Sequence, residues 1–185
     1  MAHLQILSGK LKGRSLQSPR GEQTRPTTAI LRKSVFDTLR PYLEGAHFLD
    51  LFAGSGAMGI EALSNGAAHA TFVENHPLAL KALRHNLQTL ELEKHSTVLA
   101  MDAETALKKM HAPFDVIYSD PPYESTFHTL LLPFLGTHSL LRPEGFLFLE
   151  EGKETPYQSL PHLQFVRTRN FGDSYLHHFR AAPKI

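Results

Sequence analysis

Residues 48–63 read FLDLFAGSGAMGIEAL. An apolar run, Phe48-Leu49 and Leu51-Phe52, carries one carboxylate inside it, Asp50. It breaks at Ala53-Gly54-Ser55-Gly56 and resumes with Met58, Ile60 and Leu63 around a good helix former, Glu61. That order predicts a buried strand, a glycine turn and a helix N-terminus. Glycine adopts backbone angles that a Cβ forbids and lets a ligand approach the main chain. The free N–H groups that open a helix favour polar or anionic ligand groups. Gly54, Gly56 and Gly59 also fit G-x-G-x-x-G, and Glu74 follows Gly54 by 20 positions, so a dinucleotide-binding turn is a second reading. A tight turn that binds nothing is a third.

A second stretch separates these readings. Asp120-Pro121-Pro122-Tyr123 directly follows the apolar run FDVIYS at 114–119. Two prolines fix the backbone and remove two N–H donors, leaving nearby carbonyls to accept from an amino group. Asp120 can accept from the same –NH2, and Tyr123 offers a flat face for a swung-out base, a stacking worth about 1–3 kcal/mol. An ordinary proline turn is the bland alternative. Beside the glycine turn, this run points to a site for S-adenosylmethionine (AdoMet) facing a planar nitrogen substrate. The methyl group would pass by direct displacement, with positioning supplying most of the acceleration.

From residue 47 apolar runs alternate with amphipathic segments. Strands are expected at 47–52, 69–74, 96–101, 114–120, 145–150, 163–168 and 174–180, and helices at 57–65, 77–91, 103–110 and 125–137. Pro77 suits a helix start, with Leu80, Leu83, Leu87 and Leu90 as the buried stripe. Such alternation predicts an α/β fold: a seven-stranded, mostly parallel sheet covered on both faces, closed by an antiparallel C-terminal hairpin. Ligands in such sheets bind outside the carboxyl ends of the strands. Asp50 with the glycine turn, Glu74, Asp102 and Asp120 each stand at such an end, so they should converge on one rim. Glu74 can accept both ribose hydroxyls, or be merely a solvated strand-end carboxylate. Asp102 can accept from an adenine amino group, cap the helix beginning at Ala103, or do both. Asp50 and the backbone at 52–54 suit a cationic amine. An acidic rim favours a cationic cofactor over a pyrophosphate.

Ahead of this domain, residues 3–18 read as two short strands about Gly9 and Gly13, with Lys10, Lys12 and Arg14 near the tip as candidate phosphate contacts. A hairpin this small must lean on the main domain or on a partner. Pro19, Gly21 and Pro26 make a loop, and Thr27 or Thr28 could cap a helix over 28–40. Ile30, Leu31, Val35, Phe36 and Leu39 form its packing stripe, with Arg32, Lys33 and Arg40 mostly off it. Arg25 is either a surface charge or a loop residue that reaches the site.

The 185 residues fit one domain with a small appendage: an extension over 1–24 and a catalytic domain over 25–185. Cys is absent, which excludes disulfides, thiolate metal sites and a cysteine nucleophile. The 12 His are scattered, and no metal is expected. No apolar run suits a membrane span and the N-terminus lacks a signal-peptide core, so the cytoplasm is the default. The net charge of +1 hides an asymmetry. Residues 1–40 hold eight basic and two acidic side chains (+6), 41–150 hold six and 13 (−7), and 151–185 hold five and three (+2). A basic head on an acidic body suggests a polyanionic partner.

Asp50-x-Phe52-x-Gly54-x-Gly56 and Asp120-Pro121-Pro122-Tyr123 resemble the paired motifs of class I AdoMet-dependent amino-methyltransferases, which have a Rossmann-like fold. Gly13-Arg14, Arg25-Pro26-Thr27 and LDLFAGSGAMGIEALSNGA at 49–67 narrow the resemblance to the bacterial ribosomal small subunit methyltransferase D family, over about residues 5–180. The resemblance implies methylation of the N2 amino group of a guanine in small-subunit (16S) rRNA, in an assembled or partly assembled particle, by a monomer. It implies AdoMet contacts at Asp50, Phe52, Ala53, Gly54, Ser55, Gly56, Glu74, Asn75, Asp102 and Ala103. The motif Asp120, Pro121, Pro122 and Tyr123 would hold the base, and Lys10, Lys12, Arg14, Arg25 and Thr27 the RNA. Two departures are a hairpin with fewer Arg than is usual and Ser119 in place of an apolar residue. An adenine-N6 methyltransferase, a ribosome-assembly protein without turnover and an NAD-dependent oxidoreductase are the competing readings. The last leaves the Asp-Pro-Pro-Tyr run unexplained.

Overall fold

The computed structural model describes residues 4–19, 26–122 and 125–182, with the side chains of Pro26 and Thr27 excepted. Arg25, Tyr123 and the Thr27 side chain therefore lie outside the described residues. The chain runs α1 (Pro26–Leu39), β1 (His47–Asp50), α2 (Ala57–Ser64), β2 (His69–Glu74), α3 (Pro77–Thr89), β3 (Ser96–Ala100), α4 (Ala103–Lys109), β4 (Phe114–Ser119), α5 (Phe127–Thr137), β5 (Leu141–Glu151), β6 (Leu163–Phe171) and β7 (Ser174–Ala181).

Seven strands form one sheet in the order β3-β2-β1-β4-β5-β7-β6. The first five are parallel; β7 joins β5 antiparallel, and β6 closes the sheet as its edge. Strand order reverses between β1 and β4, where the crevice of a doubly wound sheet opens. Alternation along each strand feeds two cores. Phe48, Phe72, Val116 and Phe148 pack under α1, α2 and α3, while Leu49, Val73, Ile117 and Leu147 pack under α4 and α5. This is the class I methyltransferase architecture.

The N-terminal residues lean on the domain as a hairpin that small must, although they make no regular strands. One antiparallel bridge, Gln5 to Ser15, holds them. Ile6 and Leu16 enter the core, and Glu61 of α2, 1 % exposed, accepts from the backbone N–H groups of Leu7 and Ser8 at 2.9 and 2.7 Å. The Arg32 guanidinium stands 3.6 Å from the same carboxylate and donates to the Gln5 carbonyl. Arg32 is thus buried rather than off the packing stripe, and Ile30, counted in that stripe, is 59 % exposed. An arginine can sit inside because Glu61 neutralises it across 29 positions of sequence, a pairing that periodicity cannot reveal. α1 begins at Pro26, so Thr27 and Thr28 fall in its first turn instead of capping it. On α3 the buried set is Ala79, Ala82, Leu83, Asn86 and Leu87, with Leu80 only half-buried. No helix among the described residues is long and apolar enough to cross a membrane.

Candidate active site

The sheet register brings the two singled-out loops together. Asp50 pairs with Phe72 on one side and Tyr118 on the other. Glu74 and Asp120 each lie two residues beyond those partners, so they rise one row further on strands flanking β1, about 4.8 Å to either side. Glu74 in turn pairs with Ala100, two residues before Asp102. Past the rim the loops touch. The Phe52 ring, in the glycine turn, meets the Phe127 ring, at the start of α5 after the proline motif, edge-to-face at 5.0 Å.

The turn is locked from three directions. Ala53 N donates to the Val73 carbonyl at 2.9 Å, and Gly56 N to the Ala53 carbonyl at 2.7 Å. Gly54 N donates to Glu74 Oε2 at 2.8 Å. Gly56 holds φ 88°, a left-handed geometry that suits glycine. Gly59 has a different duty: a Cβ there would lie 2.3 Å from the Phe72 ring, so only glycine lets α2 settle on the sheet. Asn86 of α3, which the sequence did not single out, donates to the Ser55 carbonyl and pairs reciprocally with the backbone of Gln17. It ties the N-terminal segment to the turn.

Each carboxylate on the rim has its own environment. Asp50 is buried, Oδ2 accepts weakly from Gly59 N at 3.3 Å, the Phe52 N–H also favours the charged carboxylate, and Oδ1 completes no hydrogen bond. Burial, reinforced by the charge of Glu74, pushes its carboxyl up to about 7. A buried carboxylate oxygen without a donor is costly unless a ligand supplies one. Glu74 Oε1 accepts from Asn75 N and His76 N at 2.8 and 2.7 Å. With the Gly54 bond these use three of about four lone-pair sites, so it keeps capacity for a hydroxyl donor. Asn75 is exposed beside it, and Ala103 is buried at the start of α4. Asp102 caps α4, accepting from Thr105 N at 2.8 Å and Thr105 Oγ1 at 2.7 Å, bonds that hold its carboxyl below the usual range. The capping role is therefore real.

Asp120 is exposed, Pro121 half-buried and Pro122 exposed. The Pro122 carbonyl accepts from Ser125 N at 2.8 Å, so a local turn uses one of the carbonyls expected to serve an amino group. Beneath the motif, Ser119 is buried with its hydroxyl unpartnered, and Tyr118 OH donates to Glu150 at 2.5 Å. Burial, then the charges of Glu150 and Asp120, hold the Tyr118 phenol well above its ordinary value. At the end of β5, Glu151 gathers His128 Nδ1 at 2.9 Å, Tyr157 OH at 3.0 Å and His177 Nε2 at 3.2 Å. Burial alone would raise its carboxyl, but the adjacent His177 ring, the Tyr157 hydroxyl and then the His128 ring hold it low. This cluster pins the first turn of α5, and with it the end of the motif loop, to the sheet. It escaped the sequence reading because its members come from four separate segments.

Lys10, Lys12 and Arg14 are exposed but not on the rim. Lys10 N donates to the Ser64 carbonyl at the C-terminal end of α2. Eight helical residues separate that end from the glycine turn, about 12 Å.

Comparison with known proteins agrees with this geometry. The family model described as "Conserved hypothetical protein 95" matches residues 4–180. "Putative rRNA methyltransferase YlbH" of Bacillus subtilis is 39% identical over 173 residues, covering 91% of this chain and 94% of the relative. "Ribosomal RNA small subunit methyltransferase D" of Escherichia coli is 32% identical over 158 residues, covering 85% and 79%. The solved structure of "Putative methyltransferase yhhF" from Escherichia coli superposes with a TM-score of 0.87 at 30% identity, covering 97% of this chain and 98% of that one. The chain therefore belongs to the conserved hypothetical protein 95 family, alongside ribosomal RNA small subunit methyltransferase D.

Proposed function

We propose that the protein methylates the exocyclic N2 amino group of a guanine in small-subunit (16S) rRNA, using AdoMet. The observation that carries this reading is the meeting of the glycine turn and the Asp-Pro-Pro motif at the β1–β4 crevice, sealed by the Phe52–Phe127 contact. The names of the family relatives quoted above support an rRNA substrate.

The residues present fit the cofactor. The unpartnered Asp50 Oδ1 offers a buried anion to a cationic amine, next to the backbone of Phe52, Ala53, Gly54, Ser55 and Gly56. Glu74 and Asn75 stand where ribose hydroxyls would be read, and Asp102 with Ala103 where an adenine edge would be. When bound, AdoMet supplies an electrophilic methyl group beside the motif. Asp120 accepts one N–H of the target amino group and the Pro121 carbonyl accepts the other, turning the nitrogen lone pair toward the donor. Tyr123 stacks the base. His128 and Glu151 hold the loop's far end still. Arg25, Thr27 and the N-terminal 24 residues serve the RNA, whether naked or in a partly assembled particle, and the protein acts as a cytoplasmic monomer.

The test is Asp120→Ala. Methyl transfer should fall at least about 100-fold, the penalty typical of lost positioning, while AdoMet affinity stays near that of the wild type. Unchanged turnover would remove Asp120 from the chemistry. A wild-type protein that binds rRNA but never turns over would favour a binding role instead.

A further inference from the structure

The groove between α1 and the edge strand β6 is lined by Ile30, Lys33, Ser34 and Asp37 on one wall and by Arg169 and Phe171 on the other. Arg169 bridges the walls, donating to Ser34 Oγ at 2.5 Å. Its position along the sheet matters. Ser119 pairs with Leu149, so Asp120 lies level with Glu150; Glu150 pairs with Leu176, and Leu176 with Arg169. Arg169 therefore shares the row of Asp120, three strand spacings away, about 14 Å. Arg167 follows it down the same strand, exposed.

The charge here is not balanced. Asp37 holds both Lys33 at 2.6 Å and Arg40 at 2.8 Å, one carboxylate for two cations. Among the described residues no carboxylate forms a salt bridge with Arg167, Arg169 or Arg180. Arg180 is occupied otherwise, lying over the rings of Phe146 and Tyr42 and donating to the Glu144 carbonyl. Among the described residues, Asp37 is thus the one carboxylate in a salt bridge with any of these five cations. Burial first, and then these three arginines, push the His178 imidazole down to about 4. Charges on an edge strand also discourage sheet-to-sheet pairing. That duty explains neither the cations on the opposite wall nor the alignment with Asp120. Guanidinium forks match phosphate oxygens, and the exposed Ile30 and half-buried Phe171 give the groove apolar surface as well.

We propose that this groove and the adjoining exposed face of β6 form an RNA-binding surface, in which Arg167, Arg169 and Lys33 hold backbone phosphates of the strand flanking the base presented to Asp120. It rests on the rRNA reading above and assigns the contacts nearest the chemistry to β6 and α1, not to the N-terminal basic tip.

The test compares wild type, R167Q/R169Q and K10Q/K12Q for affinity to a 16S rRNA fragment as a function of salt, with AdoMet affinity, thermal unfolding and oligomeric state measured alongside. Two lost phosphate contacts on a single strand should flatten the log–log salt slope by about 1.4 and weaken binding about tenfold at low salt, with AdoMet affinity unchanged. The KM for RNA should rise while kcat holds. If the double variant is poorly folded, R167Q alone, which breaks no bond to Ser34, should flatten the slope by about 0.7. An unaltered slope in folded R167Q/R169Q overturns the proposal, and so does a variant that only self-associates. A wild-type protein with no salt-dependent RNA affinity and no methyl transfer to RNA overturns the rRNA reading as well, and does so without reference to any variant.

Discussion

Replacing Asp50 with Asn should make the free protein more stable and the cofactor site weaker, both in a pH-dependent way. The buried Asp50 carboxyl sits at about 7, above its ordinary 3.8. A carboxyl raised in the folded state holds its proton to higher pH than in the unfolded chain. Stability is therefore lost as pH climbs from about 4 to about 7, and the deficit is complete above that. A shift of about 3 units corresponds to at most about 4 kcal/mol. Asn keeps the acceptor for Gly59 N but leaves an amide donor unpaired, so the net gain at pH 8 should be about 1–3 kcal/mol, a rise of about 3–10 °C in Tm. Near pH 4 the gain should vanish. AdoMet affinity should move the opposite way. Only about 3% of the wild-type carboxyl is ionised near pH 5.5, so Kd there should be about 30-fold weaker than at pH 8, and Asp50→Asn should be weak and flat across the range. Calorimetric titration and thermal melts at matched pH measure both. A variant less stable than wild type at pH 8, or a wild-type affinity indifferent to pH, would refute the assignment of Asp50 as the buried anion awaiting a cation.

Two further outcomes follow from the packing around α2. Glu61→Ala strands the Arg32 guanidinium and the Leu7 and Ser8 N–H groups, so it should cost about 3–5 kcal/mol and lower Tm by about 10 °C, read by thermal unfolding. Gly59→Ala drives a methyl into the Phe72 ring and should cost about 1–3 kcal/mol. It should weaken AdoMet binding too, because Gly59 N is the donor to Asp50; a stable variant with unchanged affinity would contradict the close-packing role.

Much of the sheet could be read from the sequence because its signals are local. Apolar runs of four to six residues, glycine turns and strand-end carboxylates sit next to one another along the chain, and parallel β–α units have few ways to assemble. The parallel sheet with its antiparallel C-terminal hairpin then follows, and with it the shared rim of Asp50, Glu74, Asp102 and Asp120. Three features could not be read that way because each depends on distant partners. Arg32 is buried because Glu61 meets it, whereas helical periodicity alone sends an arginine outward. Ile30 fits the apolar stripe of α1, yet no element among the described residues covers it. The basic tip of the N-terminal segment docks on Ser64 at the far end of α2, a placement that no local pattern in the sequence announces. The Glu151–His128–His177–Tyr157 cluster was likewise invisible, assembled from β5, α5, β7 and the stretch between β5 and β6.

The most direct test is the identity of the methylated nucleoside. Incubating the protein with tritiated AdoMet and purified small ribosomal subunits, naked rRNA or DNA, then digesting the product to nucleosides, should place the label in N2-methylguanosine from the ribosomal substrates and leave DNA unlabelled. Label in N6-methyladenosine, or in DNA, would contradict the account.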